Sequence, residues 1–176
     1  AVELSAIELP DEVLRSPAGP SQPWQPYMGG DPEAGEALFF DPQGIACGQC
    51  HAVVDSTNRV RGGQVGPELS HIAGTRTPQF ITKSILDPDA DIASGFEQVL
   101  VMMNSGDQLD GIPLREDATS ITVKKRQGNE FVEVSLAKSA IAELVPRTTS
   151  MMPGNFSELL TVQQFHDLLA YLLTLK

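Results

Sequence analysis

The chain is 176 residues long and carries 23 acidic against 12 basic side chains, a formal net charge of -11, so neither a nucleic-acid backbone nor an anionic membrane fits as its main partner. Its length suits one compact domain with decorations, able to bury a core without a framework of disulfides. No apolar run approaches a membrane span, and the opening AVELSAIELPDEVLRS has acids where a secretory signal carries a basic region and an apolar core, so a mature or excised soluble chain is expected.

Residues 1–30 hold Pro10, Pro17, Pro20, Pro23 and Pro26 and end in Gly29-Gly30, the composition of an extended, irregular arm whose large anchors are Trp24 and Tyr27. DPEAGEALFF, residues 31–40, predicts a short amphipathic helix. Asp31 is its N-cap, Pro32 takes the first helical position, and Glu33 lies in the first turn, where the helix dipole favours an acid. A second helix is predicted from Thr77-Pro78 through QFITKSIL. It stops before Asp87-Pro88, because a residue ahead of proline is driven out of helical geometry.

Between residues 96 and 145 the pattern becomes short β-rich runs, separated by the turn signals Ser-Gly-Asp, Glu-Asp-Ala and Gln-Gly-Asn, with alternation at Val132, Val134 and Leu136. A small antiparallel sheet of three or four strands is expected there. The last helix is the most regular: LTVQQFHDLLAYLLTL places Phe165, Leu168, Leu169 and Leu172 on one face, with Thr161 as N-cap.

Both cysteines of the chain fall in CGQCH, Cys47 to His51. Two thiols three positions apart followed by a histidine are the pattern of covalent c-type haem attachment: the thiols add to the two vinyl groups of the porphyrin and the imidazole is offered to the iron. A zinc half-site, a thioredoxin-like redox pair and a plain disulfide are the competing readings. Zinc would need further ligands, and only His71 and His166 remain among the histidines. A thioredoxin-like pair belongs in a βαβ pattern, whereas this motif follows a helix and enters a glycine-rich loop.

The surrounding residues resemble the class I cytochromes c. The resemblance is carried by Gly35 with Phe39 or Phe40 in a first helix, Tyr171 in a last helix, the CGQCH motif, the turn GPEL at 66–69 and the late Met152-Pro153, all in the family's order. GPELSHIAGTRTPQFITKSILDPDADIASGFEQV and SMMPGNFSELLTVQQFHDLLAYL are similar, more narrowly, to planctomycete-type cytochrome c domains with a β-rich insertion, often attached to dehydrogenase-like domains. The likeness spans roughly residues 31 to 175. It implies a mainly α fold: a class I cytochrome c helical core over 31–176 with a small antiparallel β insertion at about 96–145, preceded by the irregular arm of residues 1–30.

The resemblance also implies site residues. Cys47 and Cys50 would hold one haem c covalently, His51 and Met152 would ligate its iron, and the Pro67 carbonyl would accept from the other ring nitrogen of His51, making it a better donor. Arg76 is assigned to the haem propionates, because buried carboxylates need charged partners, and Arg59 and Arg61 are read as solvated loop charges. Among the other thioethers, Met28 lies in the arm and Met102 and Met103 read as core packing in a strand. Met151 and Met152 point to opposite sides of an extended segment, so one of them at most is a ligand. The family's ligand directly precedes proline, which selects Met152. His71 and His166 are the alternative ligands, and a bis-histidine site would lower the potential.

The function implied is single-electron transfer between extracytoplasmic redox proteins, a dehydrogenase, reductase or oxidase among them, by a chain that is not itself an enzyme, does not bind nucleic acid and does not insert in a membrane. A periplasmic location follows, either free or as the soluble domain of an anchored protein. A haem-based gas or redox sensor, and an excised haem domain of a larger dehydrogenase or reductase, are the alternatives.

Overall fold

A computed structural model describes residues 29–128 and 130–176; the expected arm, with Trp24, Tyr27 and Met28, lies outside these residues except for Gly29 and Gly30. The chain forms two compact units. The first takes in the described residues up to Gln64, then Glu68–Asp87 and Gly154–Lys176; the second consists of Val65–Pro67 and Pro88–Pro153.

The first unit contains α1 (Pro32–Phe40), a 3-10 turn (Cys47–Gln49), the short strands β1 (Val53–Val54) and β2 (Val60–Arg61), then α2 (Ile72–Thr75), α3 (Pro78–Leu86), α4 (Phe156–Leu159) and α5 (Val162–Leu172). The three predicted helices start where their caps place them. Asp31 accepts from the Glu33 and Ala34 amides, and Thr77 accepts from the Phe80 amide. Thr161 and Gln164 satisfy each other's backbone donors in a capping box.

The apolar stripe Phe165, Leu168, Leu169 and Leu172 of α5 is buried, each side chain contributing about 1.5–3 kcal/mol relative to exposure. α1 lies directly on this helix at Gly35. A Cβ added there would stand 1.9 Å from the Asp167 carbonyl oxygen and 2.8 Å from the Tyr171 Cβ, so only glycine permits the approach. Phe39, next to it, is 1% exposed, and its ring sits 5.5 Å from that of Tyr171. The Asp31 amide also donates to the Asp167 carboxylate at 2.8 Å. α3 packs against both α4 and α5, and the Ala73 amide donates to the Leu175 carbonyl, tying α2 to the C-terminal residues.

The second unit is a five-stranded antiparallel sheet of β3 (Val99–Met103), β4 (Gln108–Glu116), β5 (Ser120–Gln127), β6 (Glu130–Ala137) and β7 (Ile141–Pro146), in the spatial order β6-β5-β4-β3-β7. The predicted turn signals do connect consecutive strands. Gly106 (φ 93°) and Gly128 (φ 62°) supply the left-handed geometry of two turns. In the third, Asp117 accepts from the Thr119 and Ser120 amides, bonds that hold its carboxyl well below the usual range. β4 is shared lengthwise: its first half pairs with β3 and its second with β5. Pro113 falls in the half that has only β5 beside it, next to a register shift, where its missing donor is tolerated. Val101, Ile121 and Val123 are buried at the centre, with Met103 and Ile141 among the apolar residues packed on them.

The expectation of a mainly α fold, a class I cytochrome c helical core with a small β insertion, is therefore overturned. The described residues form a mixed α/β structure with a five-stranded and a two-stranded antiparallel sheet, and only 29% of them are helical. Two physical features separate the outcome from the expectation. The β-rich stretch builds a core of its own, so it folds as a unit and not as a decoration on helices. It also gains a strand: β7 pairs with β3 from Val99↔Pro146 to Met103↔Ile141, a partnership far apart in sequence and invisible to local alternation.

Candidate functional site

The site is built on the loop that leaves α1. Ala46 takes a left-handed conformation (φ 51°), and the chain then closes a single tight turn. The Gln49 amide donates to the Ala46 carbonyl at 2.9 Å, and the Cys50 and His51 amides both donate to the Cys47 carbonyl, at 3.1 and 2.9 Å. Cys47, Cys50 and His51 are thus presented from one turn of backbone. Gly48, inside it, is buried against the Phe40 ring, where a Cβ would come within 2.6 Å of Cδ1. Beyond the turn, Ala52 and Val53 are buried. The Ala52 carbonyl accepts from the Leu69 amide, and the Val54 amide donates to the Ser70 hydroxyl.

The two cysteines are not joined in a disulfide. Burial pushes the Cys47 thiol up to about 12, against a backbone hydrogen bond that lowers it, with Cys50 adding to the rise. A thiol held protonated is the opposite of what a thioredoxin-like nucleophile needs, since such a cysteine reacts as a thiolate with a lowered pKa. A structural zinc needs about four converging ligands. Among the described residues no three of His, Cys, Asp and Glu converge in that way.

The remaining predicted residues are distributed as follows. Arg76 follows α2, exposed, with its guanidinium 5.0 Å over the Phe80 ring and donating to the Thr75 carbonyl. His71 is exposed at the start of α2 and His166 is half-buried on α5. Pro67 and Met152 belong to the second unit. There, Met151 and Met152 are both half-buried, in a loop pinned at several points. The Ser150 amide donates to Asp89 at 2.6 Å, the Gln98 side-chain amide donates to the Thr149 carbonyl, and Arg147 pairs with Asp110 at 2.7 Å. The Met152 amide donates to the Ser150 hydroxyl.

Two unbridged thiols and an imidazole on one turn are a donor set suited to a tethered haem, which takes its covalent hold from the thiols and a single iron ligand from the motif. The Thr82 hydroxyl, on the buried side of α3 with Ile81 and Ile85, has no hydrogen-bond partner, a state that costs about 1–3 kcal/mol when nothing satisfies it.

Reasoning from sequence read Arg61 as a solvated loop charge; the side chain is exposed, as read, but it ends β2 and has partners on α1. It pairs with Glu36, and its guanidinium carbon lies 3.9 Å over the Phe40 ring. Arg59 is 76% exposed beside Asp55 and does behave as read. The signal for Arg61 was the Gly62-Gly63 pair that follows it. Compared with protein-family models and with curated proteins, the chain matches none of them.

Proposed function

We propose that this chain is a c-type cytochrome that carries one covalently attached haem and passes single electrons between redox proteins outside the cytoplasm. The observation that carries the reading is the turn Cys47 to His51, which gathers two unbridged thiols and an imidazole on consecutive backbone hydrogen bonds. When bound, the haem supplies an iron that takes up and releases one electron at a time.

The chain's own residues have defined tasks in this reading. Cys47 and Cys50 hold the group by thioether bonds, and His51 offers its imidazole to the iron. By the resemblance to cytochromes c, the Met152 thioether would be the second ligand and the Pro67 carbonyl would accept from His51. Such a thioether ligand would raise the reduction potential of the iron, which suits electron transfer more than substrate chemistry. Arg76 is the propionate partner in this scheme. Gly48, Ala52 and Val53 are buried within and beside the turn, which anchors the backbone that carries the ligands. Among the described residues no helix is long and apolar enough to cross a membrane. The acidic balance of the chain suits a basic docking face on the redox partner.

The test is export of the chain in a host able to attach haem, followed by intact mass and the alkaline pyridine spectrum. One covalent haem per chain and a ferrous form that ignores carbon monoxide are expected. A chain of unchanged mass overturns the haem reading. Ready carbon monoxide binding overturns electron transfer in favour of a gas sensor.

A further inference from the structure

The segment Arg61-Gly62-Gly63 lies directly on the CGQCH turn. A Cβ on Gly62 would stand 2.2 Å from the His51 carbonyl oxygen, and one on Gly63 would stand 1.9 Å from that of Gln49. Gly62 also has φ 99°, a conformation side chains rarely adopt. The Gly63 amide donates to the Gly48 carbonyl at 2.9 Å. Three carbonyls of the motif are therefore covered by two residues without side chains.

Arg61 fastens the other end. Its guanidinium lies over Phe40 and pairs with Glu36, both on α1, and Phe40 itself abuts Gly48. The turn is held between the glycine pair on one hand and an Arg61-backed aromatic ring on the other. A turn without these restraints would need only its own two or three short-range bonds.

We propose that Arg61, Gly62 and Gly63 form a strap that positions His51, by holding the backbone of the CGQCH turn against α1, and so sets the geometry with which the imidazole meets the iron. The inference rests on the haem reading for its consequence, while the mechanical part stands on the contacts above. Arg61 is a positioning residue here: it acts through Phe40 and the glycines.

The experiment uses the full chain as isolated, with Arg61→Met, Arg61→Lys and Gly63→Ala variants. Amide hydrogen exchange is read at Gly63, Cys50 and His51, with Leu168 and Leu169 of α5 as controls. Arg61→Met removes an exposed ion pair and a cation–π contact, so exchange at the Gly63, Cys50 and His51 amides is expected to rise about threefold to tenfold, with α5 unchanged. Arg61→Lys, which keeps the charge but not the flat stack, should fall between Arg61→Met and the parent. In the haem-loaded protein the reduction potential should shift while the ferric spectrum stays low-spin. Unchanged exchange at Gly63 and His51, equal acceleration in α5, or a potential identical to the parent's would each overturn the strap. If Gly63→Ala fails to fold, the two Arg61 variants decide. A parent chain that never acquires haem sinks the function instead, and the strap is then judged on exchange alone.

Discussion

Replacing Gly35 by alanine tests the packing that supports the site, because two effects of opposite sign compete there. Inside an exposed helix the change gains about 1 kcal/mol of helix propensity. At Gly35 the new methyl would lie 1.9 Å from a backbone oxygen of α5 and 2.5 Å from its carbon. Neither atom can swing aside as a flexible side chain would. To restore ordinary contact, α1 must retreat by about 1.5 Å, an overpacking of the kind that costs roughly 1–3 kcal/mol or more. The retreat also disturbs Phe39 against Tyr171. A net loss of about 1–2 kcal/mol follows, which at a typical urea slope of about 1–3 kcal/mol per molar lowers the midpoint by roughly 0.3–2 M. Urea unfolding followed by circular dichroism reads this directly. Because α1 also carries Phe40 onto Gly48, haem attachment should fall with it. A midpoint that stays put or rises would mean that the helices do not meet at Gly35 and that α1 is not braced there by α5.

Met152→Ala should abolish the weak far-red sulfur-to-iron absorption of the ferric protein and admit carbon monoxide to the ferrous form, while Met151→Ala leaves both unchanged; the reverse pattern would move the ligand to Met151. Cys47→Ser should leave a single thioether through Cys50, visible as retained haem mass with an alkaline pyridine band displaced to longer wavelength; an undisplaced band would remove Cys47 from the attachment. In the β1–β2 loop, hydrogen bonds from the Thr57 hydroxyl and the Arg59 and Thr57 amides lower Asp55 from 3.8 to about 2. A depressed carboxyl stabilises the loop above its unfolded pKa and loses that contribution as pH falls through the folded one, so the Thr57 and Arg59 amide resonances should titrate near pH 2, and a midpoint near 4 would refute the bonding.

What the sequence determined by itself is local. A cap needs a side chain and an amide two or three residues away, so Asp31, Thr77 and Thr161 announced their helices, and the α5 stripe announced its buried face. The turn signals around Gly106, Asp117 and Gly128 likewise act within four residues. The CGQCH spacing belongs with these, since the hydrogen bonds that bring Cys47, Cys50 and His51 together span three or four positions.

Tertiary structure decided the rest. Nothing local tells Ile141–Pro146 that its partner is β3, because antiparallel pairing is chosen by which edge is free and which face is buried. That choice turned an expected decoration into a five-stranded unit with its own core, and an expected mainly α chain into a mixed one. The same holds for single residues. Gly63 is an ordinary loop glycine in the sequence, and its meaning lies in the carbonyl of Gln49 that presses on it. Arg61 read as a surface charge until α1 brought Phe40 and Glu36 beneath it: a guanidinium's role depends on which ring and which carboxylate the fold delivers to it, and only the three-dimensional path of the backbone makes that delivery.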